Sequence, residues 1–398
     1  MWMKKKILIL AGTLDIGGVE KSLISLLQSI DFDRYDIDLI LKSGGVFKKY
    51  VPKEVKIIES PEFYKWIFLP RNNLLKATIA SIDLNFNFMR VMYYLLKGLA
   101  IKNMARARQE LMESCMHTLP YFSDTYDVAI DYTGGLKSLL INKTNAKKKL
   151  TWVHSDYKVF RRNKNIDFRD YSRIDSIITV SNTCYDIFTS EFPQYRTKCY
   201  VIPNITNKNQ IIKMSNEEAD FDDSYSGIKI LDITRLDPNK GIDIAVKSCK
   251  TLIEKGYDIK WYILGDGPEK YKIENLIKEH HLQDKFILLG VKDNPYPFIK
   301  KADIIVHCSL FEGRSVAIDE AMLLAKPIIL TNYPTAKDQI NDKENGLICD
   351  ISVEGVCNAV ETLIDDKALR NKLSHSLYKY DISVKSSLNE FYKLIDKN

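Results

Sequence analysis

The stretch that decides the fold runs from residue 304 to residue 329 and reads IIVHCSLFEGRSVAIDEAMLLAKPII. It opens with an apolar run, Ile304–Cys308, and continues through a loop into a helical pattern. Lys326 and Pro327 end that pattern, and a second apolar run follows at once. Strands that are apolar on both faces are typical of a parallel sheet covered by helices. The stretch therefore predicts one strand–helix–strand unit.

Short apolar runs of this kind recur along the chain and alternate with helical patterns, which indicates βαβ units in both halves. At roughly 100–200 residues per domain, a chain of 398 residues has room for two such domains. The sequence therefore predicts an α/β protein with two Rossmann-like, doubly wound domains. The predicted strands are Ile7–Ala11, Ile37–Leu41, Val128–Tyr132, Leu150–His154, Ser176–Val180, Cys199–Ile202, Ile228–Ile233, Ile259–Leu264, Phe286–Leu289, Ile304–Cys308 and Ile328–Thr331.

A polar and charged segment, Asn207–Gly227, separates the two halves and is predicted to contain the domain boundary. The halves also differ in charge. Residues 1–200 carry 31 Lys and Arg against 21 Asp and Glu, whereas residues 201–398 carry 27 against 31. The charges of the basic half are spread and accompany no nucleic-acid motif, so no nucleic-acid partner is predicted.

The seven cysteines are scattered, without a Cys-x-x-Cys pair or histidines at zinc spacing. This pattern argues against a disulfide scaffold or a structural zinc site and favours a reducing, cytoplasmic compartment. The sequence has no stretch of 18 apolar residues that is uninterrupted by a charged residue, which excludes an ordinary transmembrane helix. Residues 85–115 are apolar and basic, and they predict one long helix that either packs in the core or contacts a membrane surface.

Two glycines follow the first predicted strand of the first half, and two cations follow the first predicted strand of the second half. Gly17 and Gly18 precede a helical pattern, where free backbone N–H groups attract anions, although a structural turn is the alternative. The Gly-x-Gly-x-x-Gly pattern is missing there, which disfavours an NAD site. Arg235 and Lys240 follow the first strand of the second half. Two cations at a strand's carboxyl end suit a diphosphate, and solvated surface cations are the alternative.

Two glutamates flank the start of the helix in the opening stretch. Glu312 lies on the loop and Glu320 follows eight residues later, about two helical turns on, so both can border one crevice. Carboxylates placed this way accept hydrogen bonds from sugar and ribose hydroxyls, while the helix N-terminus donates N–H groups. The alternative is a pair of surface glutamates.

These segments resemble the retaining glycosyltransferases of the GT-B fold, in particular glycosyltransferase family 4. The resemblance covers nearly the whole chain and implies two Rossmann-like domains that face each other across a cleft. The implied domains are residues 1–206 and 207–379, with residues 380–398 packing back on the first domain as a helix. The resemblance rests on five segments, which are Gly-Gly-Val-Glu-Lys, Arg-Leu-x3-Lys-Gly, Leu-Gly-Asp-Gly-Pro, Gly-Val at 290–291, and Glu-x7-Glu followed by Ala-Met-x3-Lys-Pro.

The resemblance also implies roles in a donor site. Arg235 and Lys240 would bind the donor diphosphate and stabilise its negative charge as it leaves. Glu312 would hold the donor sugar hydroxyls, and Glu320 would hold the ribose. Arg314 stands where a smaller residue is common in the family, which leaves the donor sugar open. The other implied donor contacts are Gly17 and Gly18 at the diphosphate, Gly290 and Val291 at the nucleobase, and the backbone amides of Arg314, Ser315 and Val316 at the sugar or phosphates.

The family has a functional histidine where His154 ends a predicted strand, and this histidine contacts the donor sugar or the transition state. A structural histidine at the strand end is the alternative. Asp156 and Tyr157 are predicted to contribute to the acceptor side. Asn204 and Ser181 are further candidates there, or loop and cap residues.

No metal or other cofactor is predicted. The two Asp-x-Asp pairs, Asp31–Asp33 and Asp36–Asp38, stand ahead of and at the start of a strand, so they are interpreted as surface acids at the wrong edge of the sheet. The cations of the donor site would then take the electrostatic role that a metal plays elsewhere.

The resulting prediction is a metal-independent, retaining glycosyltransferase. It would move a hexose or related sugar from a nucleotide-diphosphate sugar, with UDP as the first choice, to a saccharide or lipid-linked saccharide acceptor. Capsule, exopolysaccharide or another bacterial surface polysaccharide is the expected product. The basic half suggests a peripheral contact with the anionic inner face of the cell membrane. A GT-B nucleotide-sugar epimerase and a non-catalytic complex subunit are the alternatives.

Overall fold

Two compact units make up the chain in the computed structural model. The first unit comprises Met1–Asp15, Leu26–Pro203 and Leu388–Asn398, and the second comprises Ile16–Ser25 and Asn204–Ser387. Each unit is built on its own parallel sheet. The structure describes residues 4–42, 44–59, 93, 96–218, 221, 224–378 and 384–397.

Among the residues that the structure describes, the sheet of the first unit has seven parallel strands in the order β3-β2-β1-β4-β5-β6-β7. Its strand order reverses between β1 and β4, as in other doubly wound sheets. The strands are β1 (Lys5–Ala11), β2 (Tyr35–Leu41), β3 (Lys56–Glu59), β4 (Phe122–Asp131), β5 (Thr144–Val153), β6 (Ser176–Thr179) and β7 (Cys199–Val201). The helices that precede or follow these strands are α1 (Gly18–Ser29), α2 (Met104–Cys115), α3 (Lys137–Lys143), α4 (Lys164–Ser172) and α5 (Asn182–Glu191).

In the described part of the second unit, the sheet has six parallel strands in the order β10-β9-β8-β11-β12-β13. Its order reverses between β8 and β11. The strands are β8 (Ile228–Ile233), β9 (Ile259–Leu264), β10 (Phe286–Gly290), β11 (Ile304–His307), β12 (Ile328–Thr331) and β13 (Leu347–Cys349). The helices are α6 (Lys208–Met214), α7 (Ile242–Glu254), α8 (Lys270–Glu279), α9 (Tyr296–Lys301), α10 (Val316–Leu323), α11 (Val353–Asp365) and α12 (Lys367–Tyr378).

Neighbouring residues of the second sheet's strands enter two different cores. Ile230 packs in one core with Val246 of α7, and Leu231 packs in another with Met322 of α10. Helices therefore cover both faces of this sheet, which explains why its strands are apolar throughout. The predicted fold class, two doubly wound parallel sheets, is confirmed.

All eleven predicted strands are present, and the carboxyl end of each agrees with the prediction to within one residue. Two edge strands, β3 and β13, were not predicted. They have four and three residues, respectively, and runs this short do not show a clear hydrophobic pattern. The missed strands lie at the edges of their sheets, so the strand ends that position the candidate site are unaffected.

The last helix, α13 (Val384–Asp396), packs against the first sheet through its residues from Leu388 onward. The Phe391 ring is fully buried, with its centroid 5.8 Å from that of Trp152. Tyr392 stacks on Tyr35 at 5.3 Å. Aromatic contacts therefore join the end of the chain to β2 and β5.

The prediction of one continuous helix over residues 85–115 is wrong at residues 101–103. Lys102 has a φ of 50°, and the Asn103 side chain caps a new helix, α2, by accepting a hydrogen bond from Arg106 N at 2.9 Å. Residues 85–92, 94 and 95 lie outside the described residues. Within the described part of the chain, no helix has both the length and the apolar character needed to cross a membrane.

Replacing Phe391 by Ala is expected to destabilise the first unit by about 3–5 kcal/mol, because the buried ring leaves a cavity against Trp152. Chemical denaturation followed by circular dichroism measures the change. Lys393→Ala removes an exposed side chain of the same helix and is the control, with an expected change within about 0.5 kcal/mol. Equal losses in the two variants would contradict the packing role of Phe391.

Candidate active site of the second unit

The reversal of strand order in the second sheet places the ends of β8 and β11 side by side. The carboxyl ends of strands at such a reversal border a crevice, which is where open α/β sheets bind ligands. Arg235 and Lys240 follow β8, and Glu312 follows β11. The structure therefore brings the loops that carry these three predicted residues to one edge of the second sheet.

A close approach between backbones holds the Lys240 loop in place. Gly241 has a φ of 61°, and a Cβ atom there would lie 2.1 Å from the carbonyl oxygen of Cys308. Glycine suits both the left-handed conformation and this approach. Asn239 O accepts hydrogen bonds from Leu310 N at 2.8 Å and from Ser309 Oγ at 3.2 Å. The loop after β8 is thus tied to the loop after β11.

Glu312 accepts hydrogen bonds from two cationic side chains at one oxygen atom. Lys240 Nζ donates to Glu312 Oε1, and His307 Nε2 lies 2.9 Å from the same oxygen. Burial by itself would raise the pKa of Glu312. The hydrogen bond from His307 and the charge of Lys240 outweigh it and lower this pKa to about 2. The carboxyl group is therefore ionised at neutral pH.

His307 connects Glu312 to a second carboxylate. Its Nδ1 lies 3.0 Å from Asp232 Oδ1 at the end of β8, and its side chain is only 2% exposed. Burial disfavours the imidazolium ion, but the charge of Asp232 and the hydrogen bonds to Asp232 and Glu312 raise the pKa of His307 to about 9. His307 is therefore charged at neutral pH.

Neither Asp232 nor His307 was predicted from the sequence. Each lies inside a predicted apolar strand, one before the end of the run. The available signal was a titratable residue near the carboxyl end of each of two apolar runs, and the two runs form neighbouring strands. Its meaning depends on strand order, which the sequence pattern alone does not supply.

Arg235 is the exposed cation of the loop after β8. Its side chain is 66% exposed, and its Nε lies 3.2 Å from Asp237 Oδ2. An exposed pair of this kind contributes about 0–1 kcal/mol, so the guanidinium can reorient at little cost. The structure brings Lys240 onto Glu312 and leaves Arg235 directed to solvent and Asp237.

Glu320 lies on α10 and is buried. Lys21 Nζ lies 2.9 Å from both of its carboxylate oxygens, and Tyr296 OH donates to Oε1 at 3.0 Å. Lys21 belongs to the segment Ile16–Ser25 that clusters with the second unit. The oxygens predicted to hold the ribose therefore already have donors, and neither Lys21 nor Tyr296 was predicted.

The predicted glycines lie beside open space or flexible side chains. A Cβ atom on Gly18 would lie 3.5 Å from Val316 Cγ2, and one on Gly17 would meet the end of the Glu20 side chain. Gly290 ends β10 with a φ of 68°, and a Cβ there would meet no atom within 4 Å. The next residue, Val291, is exposed. Gly290 and Val291 therefore border accessible space, and their predicted contact with a nucleobase stays a prediction.

The Arg314 side chain is buried in an ion pair and does not point to solvent. Its Nε and Nη2 donate to the two oxygens of Asp319 at 2.9 and 2.7 Å, and the side chain is 6% exposed. Gln339 Oε1 accepts from Ser315 N at 2.9 Å, so this amide already has an acceptor. Contacts of the 314–316 amides with a donor stay a prediction, whereas the Arg314 guanidinium serves the packing of α10.

His154 follows β5 in the first unit. Its Nε2 lies 2.6 Å from the carbonyl oxygen of Tyr132, which only accepts, so Nε2 carries a proton and donates. Burial lowers the pKa of His154 to about 4. The ring is therefore neutral at pH 7, and Nδ1 is an acceptor.

The two residues predicted for the acceptor have different surroundings in the first unit. Asp156 caps a short helical turn by accepting from Lys158 N at 2.8 Å. Tyr157 is buried, and its hydroxyl donates to Asp167 Oδ2 at 2.7 Å, so the side chain packs in the core. Acceptor contacts by either residue stay a prediction.

The two further candidates make hydrogen bonds within their units. Ser181 caps α5 by accepting from Cys184 N at 3.2 Å. Asn204, in the second unit, accepts from Ser22 Oγ at 3.0 Å. The Ser181 contact agrees with the alternative of a cap role, whereas Asn204 joins two segments that are distant in sequence.

One interpretation of the Asp-x-Asp pairs is wrong. Asp38 lies within β2, short of its carboxyl end, but it is buried and not a surface acid. Tyr126 OH donates to Asp38 Oδ2 at 2.9 Å, and Lys6 Nζ lies 3.3 Å from it. In the described part of the chain no cluster of three or more His, Cys, Asp or Glu side chains could hold a metal ion.

Residues 219–380 match the family model described as glycosyl transferases group 1. These residues are therefore similar to glycosyl transferases group 1. The match spans all six strands of the second sheet and both glutamates of the candidate site. The family resemblance inferred from the motifs is confirmed for this part of the chain, whereas membership of family 4 stays a prediction.

Curated relatives match about half of the chain. An uncharacterized glycosyltransferase of Methanocaldococcus jannaschii is 31% identical over 219 residues, which are 51% of this chain and 53% of that protein. An N-acetylgalactosamine-N,N'-diacetylbacillosaminyl-diphospho-undecaprenol 4-alpha-N-acetylgalactosaminyltransferase of Campylobacter jejuni is 27% identical over 50% of this chain and 53% of that protein. The chain thus spans about half the length of these relatives.

Solved structures match over the whole chain. Anabaena HepE in complex with UDP superposes with a TM-score of 0.66 at 16% identity, with both chains fully covered. TarM of Staphylococcus aureus, in complex with UDP and other ligands, superposes with a TM-score of 0.69 at 16% identity, over 99% of this chain and all of that one. These likenesses show the GT-B fold.

Replacing Arg314 by Ala is expected to destabilise the second unit by about 3–5 kcal/mol, because it leaves the buried Asp319 carboxylate without its cation. Arg235→Ala is the matched control, and its exposed side chain predicts a change within about 0.5 kcal/mol. Chemical denaturation of both variants measures the difference. A stability loss in Arg235→Ala equal to that in Arg314→Ala would contradict the assignment of Arg314 to the core.

Proposed function

We propose that this chain is a retaining, metal-independent glycosyltransferase that moves a hexose or related sugar from a nucleotide-diphosphate sugar to a saccharide or lipid-linked saccharide. The observation that carries the proposal is the contact between Lys240 and Glu312 at the strand-order reversal of the segment similar to glycosyl transferases group 1. A cation for phosphate and a carboxylate for sugar hydroxyls stand there side by side. A nucleotide-diphosphate sugar carries its phosphates beside its sugar, so a site that binds it needs a cation and a carboxylate close together.

The two cations of the loop after β8 are proposed to bind the donor diphosphate. Arg235 is exposed and weakly paired, so its planar guanidinium can turn to a phosphate oxygen. Lys240 is already beside Glu312 and can exchange a carboxylate oxygen for a phosphate oxygen. Positive charge at this position stabilises the negative charge that develops as the nucleotide leaves.

The proposed retaining step uses no enzymatic nucleophile. The acceptor hydroxyl attacks the anomeric carbon on the face from which the diphosphate leaves, and a phosphate oxygen takes the hydroxyl proton. Glu312 accepts hydrogen bonds from the donor sugar hydroxyls. Neutral His154, with Nε2 held by the Tyr132 carbonyl, offers Nδ1 as an acceptor to a sugar hydroxyl.

The acceptors and sugars in the names of two relatives support the proposed substrate classes. The Campylobacter jejuni relative is named for a diphospho-undecaprenol acceptor, and a Staphylococcus aureus relative is a poly(ribitol-phosphate) alpha-N-acetylglucosaminyltransferase. The HepE structures contain UDP, UDP with glucose, and UDP-glucose. We therefore propose a UDP-sugar donor and an acceptor from a bacterial surface polysaccharide.

A panel of nucleotide-diphosphate sugars in a thermal-shift assay tests the donor proposal. A cognate donor at about 100 times its dissociation constant is expected to stabilise the protein by about 2.7 kcal/mol. Lys240→Ala is expected to lose that shift, because it removes the cation beside Glu312. Lys250→Ala, at an exposed lysine of α7, is the control and keeps the shift.

Transfer with the donor found in that panel tests the reaction. Glu312→Ala is expected to lower transfer by about 100- to 1000-fold, the effect of removing one group that stabilises the transition state. Near-normal transfer by Lys240→Ala or by Glu312→Ala would contradict the site assignment. An epimer formed from the donor without any acceptor would instead favour the epimerase alternative.

Peripheral attachment to an anionic membrane surface belongs to the same proposal. Residues 1–200 carry the excess of basic side chains, and Leu96, Leu99 and Ile101 are exposed in the described part of the 85–115 segment. Basic residues near an anionic surface each contribute about 1 kcal/mol. The contact would place the enzyme beside a lipid-linked acceptor.

Sedimentation with vesicles tests the attachment. At low salt the protein is expected to sediment with vesicles that contain anionic phosphatidylglycerol and to remain in the supernatant with phosphatidylcholine alone. Leu99→Glu is expected to weaken sedimentation, whereas Tyr271→Glu, at an exposed aromatic residue of the second unit, is the control. Failure of the wild-type protein to sediment with anionic vesicles would contradict the attachment.

A further inference from the structure

Four charged side chains of the second unit form one hydrogen-bonded chain. Asp232 contacts His307, His307 contacts Glu312, and Glu312 contacts Lys240. Two of the four groups are anions and two are cations, in alternation. Asp232 and His307 are buried, while the Glu312 and Lys240 side chains are 14% and 16% exposed. The inner end of this chain is therefore closed, and its outer end reaches the crevice.

The proton state of His307 follows from its two neighbours. Each ring nitrogen lies within 3.0 Å of a carboxylate oxygen, and an ionised carboxylate only accepts hydrogen bonds. With both carboxylates ionised, both ring nitrogens donate, and the ring is an imidazolium ion. Tyr333 is a further titratable side chain that faces the ring, at 6.2 Å between ring centroids. Lys240 is joined to the ring through Glu312.

The two cations of Glu312 differ in their freedom to move. His307 lies on β11, is enclosed, and is held at its other nitrogen by Asp232. The backbone around it is also held, because Thr331 Oγ1 donates to His307 O at 3.2 Å. Lys240 lies on a loop and carries its charge on a flexible chain. A donor diphosphate can therefore draw Lys240 away from Glu312 but cannot draw His307.

We infer that His307 is the positioning residue of Glu312: it is the fixed cation that keeps this carboxylate ionised and oriented when Lys240 turns to the donor phosphates. The inference rests on the proposed function, which gives Glu312 the sugar hydroxyls and Lys240 the diphosphate. Asp232 has the supporting part, since it fixes the ring orientation and balances its charge. Because both donors bind Oε1, the other oxygen of Glu312 is the one offered to a sugar hydroxyl.

The first experiment needs no enzymatic activity. Long-range ¹⁵N–¹H correlation spectra of the full chain show whether each histidine ring nitrogen carries a proton, and His307→Gln assigns the signal. Both nitrogens of His307 are expected to be protonated at pH 7.5, with and without UDP. A neutral His307 ring in either sample would overturn the inference, whether or not the protein transfers sugar.

Stability gives a second readout that is independent of activity. The pKa of His307 is raised in the folded state to about 9, so its stabilising effect is full below the ordinary value of 6.5 and is lost as pH rises through about 9. The free energy of unfolding of the wild type is expected to fall over this interval. His307→Gln is expected to lack that fall, and His375→Gln, at an exposed histidine, is expected to keep it. An identical fall in His307→Gln and the wild type would overturn the inference.

Transfer kinetics test positioning. His307→Gln is expected to lower kcat/KM about 10- to 100-fold, the loss seen when a residue that orients a metal-ligating side chain is removed. With His307 absent, the pKa of Glu312 moves up from about 2 towards its ordinary value of 4.5, so the loss is expected to grow as pH falls towards 4.5. A pH-independent loss would indicate a merely structural role and overturn the inference.

A second variant guards against misfolding of His307→Gln. Asp232→Asn keeps an acceptor for Nδ1 but removes one negative charge, so it is expected to lower the pKa of His307 and to move the alkaline fall in the free energy of unfolding to lower pH. A fall in the free energy of unfolding over the same pH interval in Asp232→Asn and the wild type would overturn the supporting role of Asp232. Absence of transfer by the wild type with every donor would overturn the proposed function, whereas the spectra would still decide the charge of His307.

Discussion

The alternation of charge along Asp232, His307, Glu312 and Lys240 is the interaction on which the candidate site depends. A carboxylate taken out of water without a counter-charge costs several kcal/mol, and here each carboxylate has a cation within hydrogen-bond distance. The formal charges of the four groups cancel, so the ends of two neighbouring strands can carry them side by side. Removal of any one member leaves its neighbour uncompensated, and for this reason the four residues act as a unit.

Strand order is what allows this chain to form. The ends of β8 and β11 meet because the sheet is wound outward in both directions from this point, so residues about 75 positions apart in sequence come within hydrogen-bond distance. Gly241 then lets the loop after β8 approach the Cys308 carbonyl. A larger residue at 241 would push the loop, and Lys240 with it, away from Glu312.

The basic residues named from the motifs have three different fates in the second unit. Lys240 is paired with Glu312, Arg235 is exposed, and Arg314 forms a buried ion pair with Asp319. Sequence spacing treats the two arginines alike, since each follows a strand by a few residues. Burial distinguishes them, because a guanidinium held at two oxygens of a buried carboxylate has little freedom to bind a ligand.

Much of this protein can be read from its residues in order. The apolar runs predicted eleven strands and their carboxyl ends, since burial on both faces leaves a local hydrophobic pattern. The same pattern did not identify His307 and Asp232, because each is a single polar residue within an apolar run. It also did not show the break in the helix at residues 101–103. Which strand ends are neighbours, and therefore which charges neutralise each other, was decided by the tertiary structure. Electrostatic pairing depends on the distance between two charged groups in space, and the order of residues in the sequence does not give that distance.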